Sequence, residues 1–110
     1  MAIAGIAMMV GGAALIVLGA LGRSGRPTRQ WVVGLRTEAT LASDEAWKAA
    51  HEAAAMWVVG TGGVLFVGGV VVMLADSETT AGVVALISVA VMLIPLAVAY
   101  RKGQAAAQSV

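Results

Sequence analysis

Residues 53–75, AAAMWVVGTGGVLFVGGVVVMLA, decide the fold class of this chain because they contain no charged side chain over 23 positions. At a helical rise of about 1.5 Å per residue, such a run can cross a hydrocarbon core of about 30 Å. Its apolar and polar residues do not alternate, as they would in a strand of a membrane β-barrel. The segment therefore predicts a membrane-spanning helix.

Two further uncharged runs, at residues 2–22 and 81–100, predict two more spans. The first could be a signal peptide, but no Lys or Arg precedes it and it is longer than the apolar core of such a peptide, so we expect a retained helix. Only 12% of the residues are charged, whereas a soluble domain usually carries about 25%. This composition excludes a water-soluble globule.

The resulting prediction is an all-α fold, an integral membrane three-helix bundle formed as a single domain of residues 1–110. Its parts are the spans at 2–22, 53–75 and 81–100, a cytoplasmic segment at 23–52 made of a loop and a short helix, and a short cytoplasmic tail at 101–110.

The distribution of basic residues supports three spans and predicts their orientation. All seven Lys and Arg residues follow the first or the third span, and the turn at 76–80 has none. The positive-inside rule then places the N-terminus outside and the C-terminus in the cytoplasm. The net charge of +1 is too small to indicate binding to nucleic acid.

Glycines at seven-residue intervals predict how the helices pack. They would form a smooth stripe on one helix face, where a partner backbone can approach closely. A simpler alternative is that Gly is common in membrane helices. In the third span, Pro95 predicts a kink and Ser88 a polar contact. The helix-packing glycines are Gly5, Gly12 and Gly19 in the first span, and Gly62 and Gly69 in the second.

Capping residues predict where the later helices begin. Ser43 is a good N-cap, and Asp44 and Glu45 follow it in the first turn, where the helix dipole favours anions. This helix can run directly into the second span as one element of about 32 residues and ~48 Å. Residues 76–80 form a tight turn, in which Ser77 or Thr79 can cap the third span.

The polar segment before the second span contains the candidate site residues. Arg36 is either an anchor to lipid phosphates or a partner for an internal group. Trp47 and His51 lie at i and i+4 on one helix face. The histidine is either packed in the structure or a ligand or pH sensor, and Trp47 and Trp57 are most simply membrane-interface residues.

No catalytic or metal-binding pattern is found in the sequence. Without Cys, thiolate metal sites and Cys nucleophiles are excluded, and a lone His is a poor metal site. No nucleophile and base occur at a suitable spacing, and no phosphate-binding loop is present. We expect no enzyme activity, no metal and no cofactor.

The polar segment resembles the signature of the SdpI-like family of bacterial membrane proteins, which is named for an immunity protein against a sporulation-delay toxin. The resemblance is carried by Gly34-Leu35-Arg36-Thr37, then Thr40-Leu41, an acidic helix start, Trp47 and His51. Gln30 stands where the family usually has Asn, and Leu35 where Ile is commoner. This chain also has one span before the motif, whereas the better-known immunity protein has more.

The resemblance implies a protein of the bacterial inner membrane that confers immunity against a membrane-active peptide toxin, or that senses one and tethers a cytoplasmic repressor. It marks Gln30, Gly34, Arg36, Thr37, Thr40, Trp47 and His51 as motif and interaction residues. The expected partners are the lipid bilayer, a membrane or cytoplasmic protein and a second copy of the chain. The alternatives are an accessory subunit of a larger membrane complex and a small transport component.

Overall fold

The computed structural model describes residues 2–23 and 37–109, which form four helices and no strand. The helices are α1 (Ala2–Arg23), α2 (Glu38–Leu41), α3 (Asp44–Leu74) and α4 (Glu78–Gln108). Three of them, α1, α3 and α4, are long and apolar enough to cross a membrane. The predicted all-α fold with three spans is confirmed.

Helix α3 continues from the polar segment into the second span without a break, as the capping pattern predicted. Its N-cap is Ser43, whose hydroxyl accepts a hydrogen bond of 2.9 Å from the amide of Ala46. The helix has 31 residues, and its length of about 46 Å at 1.5 Å per residue exceeds the bilayer core. Its first turns therefore extend beyond the hydrocarbon region.

The connection between α3 and α4 is shorter than the sequence indicated. Helix α4 begins at Glu78 with Ser77 as its N-cap, so only residues 75–77 join the two helices. The five-residue turn at 76–80 is wrong in its extent, because the Ser77 hydroxyl accepts from the amide of Thr80 and draws that residue into the first helical turn. Helix α4 also continues through Pro95.

Helices α1 and α3 pack through the predicted glycines. A Cβ atom on Gly12 would lie 2.6 Å from the carbonyl oxygen of Gly62, and one on Gly62 would lie 2.5 Å from the carbonyl oxygen of Gly12. A Cβ on Gly69 would likewise lie 2.7 Å from the carbonyl oxygen of Gly5. The backbones of α1 and α3 are therefore in contact at both levels.

A second stripe of small residues on α3 lies beside the first and contacts α4 at Gly68. Ala54, Thr61 and Gly68 are buried at seven-residue intervals, one position before the stripe that meets α1. Gly68 contacts the side chain of Ser88, whose hydroxyl donates to the carbonyl of Val84 at 2.8 Å. Ser88 is thus the polar residue at this interface, with its hydrogen bond made inside its own helix.

Helix α3 is the central element of the bundle. Both α1 and α4 pack along it, whereas no Cα atom of α1 lies within 8 Å of a Cα atom of α4 among the described residues. The outer faces of the three long helices expose large apolar side chains such as Val10, Val67 and Leu86. Such faces are suited to contact with lipid.

Candidate functional site

Helix α2 is a single turn built by two threonines of the polar segment. Thr37 is its N-cap, and its hydroxyl accepts from the amide of Thr40 at 3.2 Å, while the Thr40 hydroxyl accepts from the amide of Thr37 at 2.8 Å. Two backbone donors at the helix start are satisfied reciprocally in this capping box. Thr40 is fully buried, so the short helix is packed against the rest of the protein.

Thr37 also connects α2 to the end of α4. Its hydroxyl donates to Oε1 of Gln104 at 2.7 Å, across 67 positions of the chain. Residues 101–108, expected to be a short tail, are helical in α4. Because α4 continues past the third span, Gln104 lies within hydrogen-bonding distance of Thr37.

Below this hydrogen bond lies a small apolar core. Ala46 and Ala50 on α3 pack with Ala107 on α4, and Ala39 of α2 contacts them. The side chains are small, so the three helices can approach closely. We call the assembly of α2, residues 44–51 of α3 and residues 103–108 of α4 the cap.

Trp47 and His51 stack on each other at the base of the cap. Their ring centroids are 4.2 Å apart with an interplanar angle of 29°. His51 Nδ1 lies 2.8 Å from the carbonyl oxygen of Trp47, and because a carbonyl can only accept, Nδ1 carries the hydrogen. His51 is buried, which agrees with its interpretation as a packed residue.

The interpretation of Trp47 as a membrane-interface residue is wrong. Its side chain is 1% exposed, while that of Trp57 is 40% exposed. Trp47 stacks on His51 on the buried side of α3, whereas Trp57 lies on a more exposed side of the same helix. Of these two tryptophans, only Trp57 is as exposed as an interface residue would be.

His51 also connects the cap to α1. A Cβ atom on Gly22 would lie 2.9 Å from the backbone carbonyl oxygen of His51. The last turn of α1 therefore lies directly against this part of α3. Through Thr37 and His51, the cap contacts the ends of all three long helices.

A cavity of about 330 Å³ opens between α1 and α4 beside His51. It lies where both helices pack on α3 and where the described Cα atoms of α1 stay more than 8 Å from those of α4. Leu15 and Leu18 of α1, Val58 of α3 and Leu96 of α4 form its apolar walls. His51 and Tyr100 are the lining residues with polar side chains.

The structure unites four of the seven predicted motif residues. Thr37, Thr40, Trp47 and His51 are all in the cap or in its capping box. Gln30, Gly34 and Arg36 lie outside the described residues, so the predictions made for them stay predictions.

Three residues that complete the site were not predicted from the sequence, namely Gln104, Ala107 and Gly22. The small residues Ala99, Gly103 and Ala107 are buried at four-residue spacing, and that spacing was the signal for the continued α4 helix. Gly22 falls outside the seven-residue glycine interval and gave no such signal.

The described part of the cap offers a packed interface rather than a set of reactive groups. Within residues 2–23 and 37–109, no three or more His, Asp or Glu side chains come together where they could hold a metal ion. The hydroxyls of Thr37 and Thr40 are engaged in capping. The buried and half-buried polar groups described in the cap are thus engaged in packing and in hydrogen bonds within the fold.

Comparison with known proteins gives one match. The sequence model of the SdpI/YfhL protein family matches residues 26–99, which is more than half of the chain. No curated protein and no solved structure matches. The matched region includes Thr37, Thr40, Trp47 and His51, together with all of the second span. With three helices able to cross a membrane, the chain is a multi-pass membrane protein that belongs to the SdpI/YfhL family.

Proposed function

We propose that this protein lies in the bacterial inner membrane, with the start of α1 outside and the cap in the cytoplasm. The basic residues support this orientation. Arg23, Lys48, Arg101 and Lys102 are at the cap end, and the connection at residues 75–77 has none. Basic residues are enriched on the cytoplasmic side of membrane proteins.

The proposed role is immunity against a membrane-active peptide toxin, or signalling of its presence. Family membership supports this class of function, as the sequence resemblance implied. The role is one of binding and transmission, without catalysis. Its partners are the bilayer, a membrane or cytoplasmic protein that contacts the cap, and a second copy of the chain.

The observation that carries the proposal is the connection of the cap to all three spans. His51 lies against Gly22 of α1, and Thr37 is hydrogen-bonded to Gln104 of α4. A toxin that separates α1 from α3, or shifts α4, would strain these contacts at the cytoplasmic end. Packed interfaces of this kind respond by switching between arrangements rather than by continuous deformation.

Survival of bacteria exposed to the toxin tests this proposal. A strain killed by a sporulation-delay-type peptide is complemented with the wild-type chain, with Thr37→Val, or with Thr79→Val as a matched control on the exposed first turn of α4. We expect the wild type and Thr79→Val to protect, and Thr37→Val to protect poorly at an equal level in the membrane. No protection by the wild type, or full protection by Thr37→Val, would overturn the proposal.

The second candidate is an accessory subunit of a larger membrane complex. It is favoured by the outward face of α1, where Ala4, Ala7 and Ala14 are exposed. Small residues on a membrane helix allow another helix to approach closely. Purification in mild detergent distinguishes the two: a stable hetero-oligomer supports the subunit role, and a lone chain or small homo-oligomer opposes it. Transport is the weakest alternative, because the uncharged runs of the three spans hold no ionisable residue before Tyr100.

A further inference from the structure

The cavity between α1 and α4 needs an occupant when the protein is in a bilayer. Its walls are apolar, with Leu15 and Leu18 on one side and Leu96 on the other. Water is a poor occupant of such a space, because it requires two to four polar partners. The occupant must therefore be largely apolar.

The cavity measures about 330 Å³ and is walled by three different helices. A peptide helix with its side chains is about 10–12 Å across. A single acyl chain is narrower than a helix and is present in the surrounding membrane. It is the occupant that best fits this shape and these walls.

The charges around the cap end of the cavity favour an anionic headgroup. Gly22 and Tyr100 line the cavity on opposite sides, and exposed basic residues follow each of them in the chain: Arg23 after Gly22, and Arg101 and Lys102 after Tyr100. None of the described lining residues is acidic, and the exposed Glu52, which follows the lining residue His51, is outnumbered by these three basic residues. Basic residues beside the membrane attract anionic lipids.

We propose that this cavity is a binding site for one anionic phospholipid. One acyl chain lies between α1 and α4 against Val58, and the phosphate lies at the end marked by Arg23 and Arg101. The site is separate from the proposed toxin function and does not depend on it. The bound lipid would fill the space between α1 and α4 and contact both helices.

Lipid retention measured by native mass spectrometry tests this site. The full chain is released from nanodiscs that contain equal amounts of phosphatidylglycerol and phosphatidylethanolamine. Val58→Phe fills the cavity with a larger side chain, and Leu18→Phe does so from the opposite wall. Val83→Phe is the matched control, because Val83 is exposed at the far end of α4.

We expect the wild type and Val83→Phe to retain one phosphatidylglycerol, and both cavity variants to lose it while keeping the helical circular dichroism of the wild type. Replacing both Arg101 and Lys102 with Gln should lower the preference for phosphatidylglycerol by about fivefold or more. Equal retention by Val58→Phe and Val83→Phe would overturn the site. Equal retention of the two lipids by the wild type would overturn its anionic selectivity.

Discussion

The hydroxyl of Thr37 donates a hydrogen bond of 2.7 Å to Oε1 of Gln104, so the short helix before the second span is joined to the end of the last helix. The same hydroxyl accepts from the amide of Thr40. One side chain therefore starts α2 and attaches it to α4. Removal of the Thr37 hydroxyl should therefore weaken both the start of α2 and its attachment to α4.

Thr37→Val should destabilise the cap by about 1–2 kcal/mol, the usual cost of a lost N-cap. The Thr40 amide loses its side-chain acceptor, and Gln104 loses its donor. Hydrogen exchange at the amides of Thr40 and Leu41 should become faster, while exchange in the middle of α3 is unchanged. Unaltered exchange at both amides would contradict this role of Thr37.

Gly12→Ala should weaken the packing of α1 on α3 by about 1–3 kcal/mol, as is typical of overpacked sites. The added methyl group would lie 2.6 Å from both the Gly62 carbonyl oxygen and the Phe66 amide nitrogen, so the backbones must separate. Thermal unfolding in detergent measures the effect.

Gly82→Ala is the control for that substitution, because a Cβ atom on Gly82 has no described neighbour within 4 Å. It should be neutral or slightly stabilising, since Ala is the better helix former. If both variants unfolded at the same temperature, the close contact between α1 and α3 would not contribute to stability.

Trp47→Ala should be much more destabilising than Trp57→Ala. Removing a fully buried aromatic side chain usually costs about 3–5 kcal/mol, and Trp47 is 1% exposed against 40% for Trp57. The two unfolding midpoints in detergent provide the measurement. Similar losses for the two variants would show that Trp47 is not enclosed by the cap.

The imidazole of His51 should carry its hydrogen on Nδ1 when it is neutral. The reason is the carbonyl oxygen of Trp47, which lies 2.8 Å from this nitrogen and can only accept. The ¹⁵N chemical shifts of the ring at neutral pH distinguish the two tautomers. A hydrogen on Nε2 alone would contradict the bond to Trp47.

The helical fold could be predicted because its determinants are local. Uncharged runs gave the spans, and Ser43 gave the start of α3. The Gly12–Gly62 contact was foreseeable as well, since a seven-residue interval repeats on one helix face. The start of α4 was left open between two positions because Ser77 and Thr79 are both able to cap, and the hydrogen bond from the Thr80 amide to Ser77 decides between them.

The site was only partly predictable, because its key contacts join distant positions. No local pattern relates Thr37 to Gln104 or His51 to Gly22. Trp47 was misjudged for the same reason: tryptophan near a membrane boundary is common at the lipid interface, and its burial depends on helices that arrive from elsewhere in the chain. Thr37 and Thr40 were marked as motif residues, but not as the cap of a separate turn.

The placement of α3 between two helices that do not meet divides the molecule unequally. Helices α3 and α4 form a continuous hairpin held by three connecting residues, while α1 rests on α3 as a separate arm. Any movement of α1 relative to the hairpin would have to break the close backbone contacts at Gly5, Gly12 and Gly19, so these glycines hold the arm in place.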